Sequence, residues 1–126
     1  MNKTKIVQKI WGTEEWLANT ELYCGKILTL NSWFICSYHY HKKKDETFYI
    51  SQGLVYLRLD GKELLLNQGD KIRVKPNQKH QFASLEKVSK IIEISTHHDE
   101  KDSYRLTESC KINLDDLLLR VSHNCR

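Results

Sequence analysis

Three histidines and one glutamate carry the most specific chemical signal in the chain. His39-Tyr40-His41 is an H-x-H pair. On a β-strand, residues two apart face the same side, so both imidazoles would aim at one point. Glu46 comes five residues after His41. A short turn through residues 42–45 would bring it onto the neighbouring strand, facing the same way. His80 lies well downstream, just after Pro76-Asn77. Three imidazoles and a carboxylate suit a first-row divalent metal, with positions left open for water or substrate. Each residue alone has an ordinary reading: a solvent-facing strand histidine, a solvated acid, a turn residue. Only the arrangement points to a metal.

Such a site needs strands to hold it. Runs rich in β-branched and aromatic residues at 22–24, 27–30, 33–38, 47–50 and 54–59 predict strands, as do 63–66, 71–74, 80–83 and 90–95. Asp60-Gly61 is a two-residue hairpin signal, because both central positions of a type I′ turn need positive φ. Asn67-Gln68-Gly69-Asp70 marks another turn, and Pro76-Asn77 breaks the strand before it. Short strands at regular intervals predict an all-β sandwich or barrel. One short helix is expected near the C-terminus, with Asn113 or Asp115 capping Leu114 to Val121 and Arg120 in its last turn. The organisation expected is a single domain over 1–126, with a barrel over about 11–105 and a C-terminal appendage over 106–126.

The 126 residues are enough to bury a core, and 40% of them are hydrophobic and 29% charged. The net charge is +4, and its one dense basic run is Lys42-Lys43-Lys44, which reads as a solvated loop, with attraction of an anionic small ligand as the lesser reading. A nucleic-acid binder would show a longer basic stripe, so no nucleic-acid partner is expected. The N-terminal segment lacks an apolar stretch of signal-peptide length, and no run is long enough to span a bilayer. A cytoplasmic protein without a membrane partner is therefore expected. Cys24, Cys36, Cys110 and Cys125 form no C-x-x-C pair and predict free thiols, with Cys24 and Cys36 as packing residues.

The arrangement of the site resembles the cupin superfamily. The first cupin motif runs glycine, five residues, H-x-H, three or four residues, glutamate, six residues, glycine. His39-x-His41, four residues, Glu46, six residues and Gly53 follow it, with Trp33 in place of the opening glycine. The second motif has a glycine-aspartate turn and then P-x-G-x-x-H. Gly69-Asp70 supplies the turn, and Lys75-Pro76-Asn77-Gln78-Lys79-His80 the rest. Lys75 stands for the proline, Asn77 for the glycine, and Ser84 for the final asparagine. Asn tolerates left-handed backbone, so that turn can still form. Fifteen residues separate the motifs. The resemblance implies a jelly-roll cupin β-barrel, or double-stranded β-helix, with a short C-terminal helix. It also implies one divalent transition metal (Mn, Fe, Zn, Ni or Co) on His39, His41, Glu46 and His80.

The flanks narrow the resemblance. Trp11-Gly12-Thr13-Glu14-Glu15-Trp16, Leu22-Tyr23-Cys24-Gly25-Lys26 and the segments 92–99 and 102–106 look like sugar-isomerase cupins. They resemble D-lyxose isomerase-like proteins and the C-terminal domain of type II mannose-6-phosphate isomerases. The activity implied is metal-dependent aldose–ketose isomerisation of a sugar or sugar phosphate. Two alternatives use the same barrel: an iron-dependent dioxygenase and a non-catalytic sugar-binding cupin. Glu93 is the candidate base or acid, because the alternation of Ile92 and Ile94 puts it on the opposite face; an outward strand charge is the other reading. Lys26 would orient a hydroxyl or phosphate. Arg105 would hold a phosphate or carboxylate, or else form a rim salt bridge with Asp102 or Glu108. Phe48, of the same parity as Glu46, would line the pocket. His97 and His98 end a strand, at the barrel mouth or in an exposed loop. Trp33, Tyr49 and Tyr56 would pack between sheets or across the interface of a homodimer.

Overall fold

The chain folds as two antiparallel sheets around a shared interior. The computed structural model describes residues 2–124, with side chains described as far as Val121 at the C-terminal end. Cys125 lies outside the described residues. In chain order the strands are β1 (Lys5–Lys9), β2 (Gly12–Asn19), β3 (Cys24–Asn31), β4 (Phe34–Ile35) and β5 (His39–Tyr40). There follow β6 (Glu46–Gln52), β7 (Leu54–Leu59), β8 (Lys62–Asn67), β9 (Lys71–Val74), β10 (His80–Ser84) and β11 (Val88–Ser95). After a 3₁₀ turn at Glu100–Asp102 come β12 (Tyr104–Arg105), β13 (Cys110–Lys111) and the helix α1 (Leu114–Asn124).

The first sheet has the order β1-β2-β3-β11-β6-β9. In the second, β10 pairs β7 along one edge and the short β4 and β5 along the other, with β8, β12 and β13 extending it. Burial alternates residue by residue along β3, β6 and β11, the period-two pattern of strands with one face inward. Inward residues of both sheets meet in one core: Leu28, Leu30, Phe48 and Ile91 from the first, Val55, Leu57 and Phe82 from the second, with Trp11 added from the β1–β2 turn. This is the all-β jelly-roll architecture expected, with its short C-terminal helix. None of the described helices is long and apolar enough to cross a membrane.

Four local expectations hold. Asp60 (φ 48°) and Gly61 (φ 82°) make the hairpin turn between β7 and β8. Asn77 adopts the left-handed conformation (φ 70°) that the motif's glycine would supply. Asn113 is the helix cap, its Oδ1 accepting from the Asp115 and Asp116 amides at 3.0 and 3.2 Å. Cys24, Cys36 and Cys110 are free thiols, the first two buried. The helix does not stand alone. Leu117 and Val121 pack on Ile35, Tyr56 and Ala83, and Arg120 Nε donates to Glu63 at 2.9 Å.

Three expectations need correction. Residues 33–38 do not form one strand. Trp33 sits at φ 73°, and the ladder breaks after Ile35. There the amides of Ser37 and Tyr38 are met by the hydroxyls of Ser109 (3.1 Å) and Thr107 (2.8 Å). Side chains from the C-terminal segment thus take the place of a neighbouring strand. Leu22 and Tyr23 lie exposed in a turn, and the strand there begins at Cys24. Glu46 does not lie on the strand beside the H-x-H pair. It opens β6 in the opposite sheet and faces β5 across the interior.

Gly53 ends one strand and starts the next at φ 88°, and a Cβ there would lie 2.3 Å from Ser89 Oγ. That hydroxyl is already bonded to Ser84 Oγ and to both backbone groups of Leu54. Gly61 also has positive φ but open space around it. Gly61→Ala should cost about 1–2 kcal/mol from backbone strain alone. Gly53→Ala should cost clearly more, about 3 kcal/mol or above, because the hydroxyl network must also shift. Urea unfolding midpoints of the two variants test the difference.

Candidate metal centre

The three histidines come together through the second sheet. His39 lies on β5 and pairs in register with His80 at the start of β10. His41 lies just past β5, and its carbonyl accepts the Asn77 amide at 2.6 Å, tying the H-x-H segment to the turn before His80. The Asp60 carboxylate accepts the Lys79 amide at 2.8 Å and steadies that turn from the β7–β8 hairpin. The ring centroids stand 4.3, 5.2 and 5.4 Å apart, and one nitrogen from each ring falls within 4.8 Å of the others.

Each ring is oriented by a carbonyl. His39 Nδ1 lies 2.7 Å from Ser37 O, His41 Nδ1 3.0 Å from Asp102 O, and His80 Nδ1 3.0 Å from Gln78 O. A carbonyl only accepts, so each Nδ1 carries the proton and each neutral ring keeps its Nε2 lone pair. Such outer contacts orient ligating histidines. Burial, together with His80 for His39, pushes the imidazoles down, His39 to about 3 and His41 to about 4, so both are neutral at neutral pH.

Glu46 reaches this cluster from the other sheet. Its Oε2 lies 3.1 Å from His80 Nε2 and 3.6 Å from His41 Nε2. Glu46 Oε2 and His80 Nε2 are both buried without a hydrogen-bond donor. With Nδ1–H given to Gln78, His80 Nε2 is a lone pair facing a carboxylate. Two acceptors at that distance need a shared cation, which is a proton on His80 Nε2 in the metal-free protein and can be a metal ion in its place. Three neutral imidazoles and an ionised carboxylate form the donor set of a first-row divalent ion, so the residues fit one.

A second group of charges stands beside the first. Neighbouring strands align Trp16, Lys26, Glu93 and Phe48 in one row across the sheet. Glu93 therefore faces the interior, as its parity suggests, while Ile94 is exposed. Lys44 is the unexpected member. It lies in the basic run read as a solvated loop, yet is only 3% exposed. Its Nζ stands 2.7 Å from Glu93 Oε2, 2.9 Å from His98 Nδ1 and 3.4 Å from Glu46 Oε1. The Asp102 carboxylate folds this loop inward by accepting the amides of Lys42, Lys43 and Lys44 at 2.9–3.1 Å. One signal was available: Lys44 shares its parity with Glu46, two residues on.

The two acids differ. Burial opposes ionisation of Glu46, but in the metal-free protein a proton on His80 Nε2 that donates to it, the Lys44 ammonium and a proton on His41 outweigh that burial and hold the carboxyl well below the usual range. Burial and the neighbouring Glu46 push Glu93 up, against the pull of Lys44 and Lys26. Burial also works against the Lys44 charge, but Glu93 and Glu46 hold the ammonium above the usual lysine range.

The remaining candidates fall into two sets. Lys26 is buried, its Nζ 3.5 Å from Glu14 and 4.2 Å from the Trp16 ring centroid. Phe48 is buried, edge-on to His80 and Phe82. Both line the same pocket, of about 80 Å³, as the histidines, Lys44 and Glu93. Arg105 is paired in register with His39 but sits at the mouth, its side chain 54% exposed. Its nearest acid is Glu100, at 3.9 Å, and neither Asp102 nor Glu108 makes the expected rim pair. His98 is buried in the site, whereas His97 is exposed.

The Cupin domain family matches residues 32–95, the half of the chain that carries all four candidate ligands. The chain belongs to the cupin family. It is similar to the D-lyxose/D-mannose isomerase of Thermosediminibacter oceani, 29% identical over 110 residues, with 66% of this chain and 61% of that relative covered. The chain thus spans about three-fifths of that relative's length. Among solved structures it is similar to KdgF from Halomonas sp., at TM-score 0.70 and 18% identity, covering 77% of this chain and 89% of that one. It is also similar to the capsular polysaccharide assembling protein CapF from Staphylococcus aureus, at TM-score 0.71 and 14% identity, covering 84% and 32%. These structures share the fold.

The depressed imidazoles make the metal-free protein sensitive to acid. The folded values for His39 and His41 lie below the unfolded value of about 6.5, so as pH falls below that value the unfolded chain binds protons that the folded one refuses. Stability in chelator should fall as pH drops from about 6.5 toward about 4. Urea midpoints across this range should fall less steeply for His41→Asn, which has one fewer titrating ring.

Proposed function

We propose that this chain is a metal-dependent aldose–ketose isomerase acting on a sugar or sugar phosphate. One observation carries the reading: a Lys44–Glu93 ion pair buried beside converging imidazole lone pairs in a single pocket. The similarity to a D-lyxose/D-mannose isomerase supports the same chemistry. His39, His41, Glu46 and His80 would hold one divalent transition metal. When bound, that metal supplies Lewis-acid polarisation of the carbonyl and hydroxyl oxygens of an open-chain sugar.

The chain's own groups supply the proton movement. The Glu93 carboxylate takes the proton from the hydroxyl-bearing carbon and returns it to the neighbouring carbon, and its raised proton affinity suits it to both steps. The Lys44 ammonium compensates the charge at Glu93, gives a proton to the carbonyl oxygen as it becomes a hydroxyl and takes one back from the neighbouring hydroxyl as that becomes the carbonyl. Lys26 orients a hydroxyl, Phe48 closes the apolar floor, and Arg105 at the mouth receives an anionic end group where the substrate has one. The proton removed from one carbon is delivered to the next, so no redox partner is needed.

Purified protein should bind about one Mn(II) per chain, and His39→Ala with His41→Ala should abolish that binding. Mn(II)-loaded protein incubated with aldoses, ketoses and their phosphates should interconvert at least one pair, equally in air and under argon, as read by product chromatography. Glu93→Gln should lower kcat at least about 10²-fold with metal content unchanged. A requirement for oxygen would support a dioxygenase instead. Sugar binding without turnover would leave a binding protein.

A further inference from the structure

Lys44 Nζ has three protons to place where water is excluded, and three acceptors surround it. Two are carboxylates, Glu93 at 2.7 Å and Glu46 at 3.4 Å, and the third is the ring of His98, at 2.9 Å. An ammonium only donates, so His98 Nδ1 is the bare nitrogen and its Nε2–H donates to Glu100 Oε1 at 2.8 Å. His98 therefore holds the opposite tautomer from His39, His41 and His80. Its ring lies 6.2 Å from that of His41, outside the group of converging nitrogens.

The placement of His98 is itself built. Asn19, the last residue of β2, accepts the His98 amide through Oδ1 and donates to the His98 carbonyl through Nδ2, both at 3.0 Å. The ring edge rests on Trp16 at 5.2 Å. A side chain outside the metal centre thus clamps both backbone groups of a loop residue whose ring points in at the Lys44 ammonium.

We propose that His98, locked by Asn19, is a positioning residue that aims the Lys44 ammonium at Glu93 and away from the metal-facing carboxylate of Glu46. Lysine's long, rotamer-rich stem fixes no direction by itself. Two carboxylates on one side would let the ammonium settle between them. The third acceptor draws it to the Glu93 side, where the distances place it. Glu46 Oε2 is then left facing His80 and His41. The catalytic consequence rests on the isomerase reading; the geometric one does not.

Three variants in the Zn(II)-loaded protein test this: His98→Phe keeps the aromatic contact and loses the acceptor, His98→Asn keeps an oxygen near the Nδ1 position, and Asn19→Ala frees the loop without touching the ring. In the unsubstituted protein, nitrogen NMR should show His98 as the Nε2–H tautomer and a slowly exchanging Lys44 ammonium. Exchange of that ammonium with water should quicken at least about tenfold in His98→Phe, stay within about threefold in His98→Asn, and rise in Asn19→Ala. On whichever sugar pair the unsubstituted protein converts, His98→Phe should lower kcat at least about tenfold with KM little changed, and His98→Asn should restore most of it. An Nδ1–H tautomer at His98, or unchanged ammonium exchange in His98→Phe, overturns the proposal. So does an unchanged kcat where turnover exists. If His98→Phe fails to fold, Asn19→Ala decides on the same exchange measurement. Absence of turnover in the unsubstituted protein would overturn the isomerase reading, while the NMR result still decides the role of His98.

Discussion

The ion pair between Lys44 and Glu93, 2.7 Å apart and closed to solvent, is the interaction on which the rest of the site depends. Glu46 and Glu93 face the same interior, and two buried carboxylates close together resist ionisation. One ammonium between them changes the balance. It compensates both, and it leaves Glu46 ionised beside the imidazoles while Glu93 keeps a raised proton affinity. The two acids thereby become chemically different through one cation: Glu46 is the ionised carboxylate beside the imidazoles, and Glu93 the one with the raised proton affinity, as the proposed metal-ligand and proton-transfer roles require. Without Lys44, Glu46 and Glu93 would face the same cavity with only Lys26, itself paired with Glu14, nearby.

Burying an ammonium from a basic loop requires something to turn that loop inward, and Asp102 does so. Its carboxylate gathers three successive amides of residues 42–44, and its carbonyl accepts from His41 Nδ1. A single residue therefore sets both the ligand tautomer of His41 and the path of Lys44. The segment after it continues the task. The hydroxyls of Thr107 and Ser109 take the amides of Tyr38 and Ser37, just ahead of His39. The centre is thus finished by residues about sixty to seventy positions away from those it uses. Thr107 and Ser109 lie past the last strand of the first sheet, so the C-terminal segment is part of how the site is held.

What could be read from the sequence followed this division between local and distant causes. Spacing along one strand is a local property, so the H-x-H pair and the Asp60-Gly61 turn were legible, while the alternation around Glu93 showed that it opposes Ile92 and Ile94 without saying which face is inward. So was left-handed geometry at Asn77, which depends on the residue itself. Glu46 was legible as a partner of the histidines but not as a residue of the opposite sheet, because the sheet a strand joins is decided by pairings with β11 and β9. The strand break after Ile35 was illegible for a similar reason: its amides are satisfied by hydroxyls from the far end of the chain. Lys44 was hidden by its neighbours. Three consecutive lysines look like a solvated loop, and only the distant Asp102 makes the third turn in. His98 is the same case, since its burial depends on the clamp from Asn19.

Dryness beneath the centre connects these observations. Phe48 packs edge-on under His80 and against Phe82, with Trp11 edge-on to Phe82. This floor removes water from one side of the polar cluster and strengthens every charge interaction above it. The same desolvation acts in opposite senses on the two kinds of group. It keeps His39 and His41 neutral, so that their lone pairs are available, and it raises Glu93, so that a proton taken there is held. A wetter cavity would relax both shifts together. On the proposed reading, metal affinity and proton transfer are set by one physical variable, the apolar packing of β6 and β10, and a substitution that admits water at Phe48 would weaken both without touching a candidate ligand.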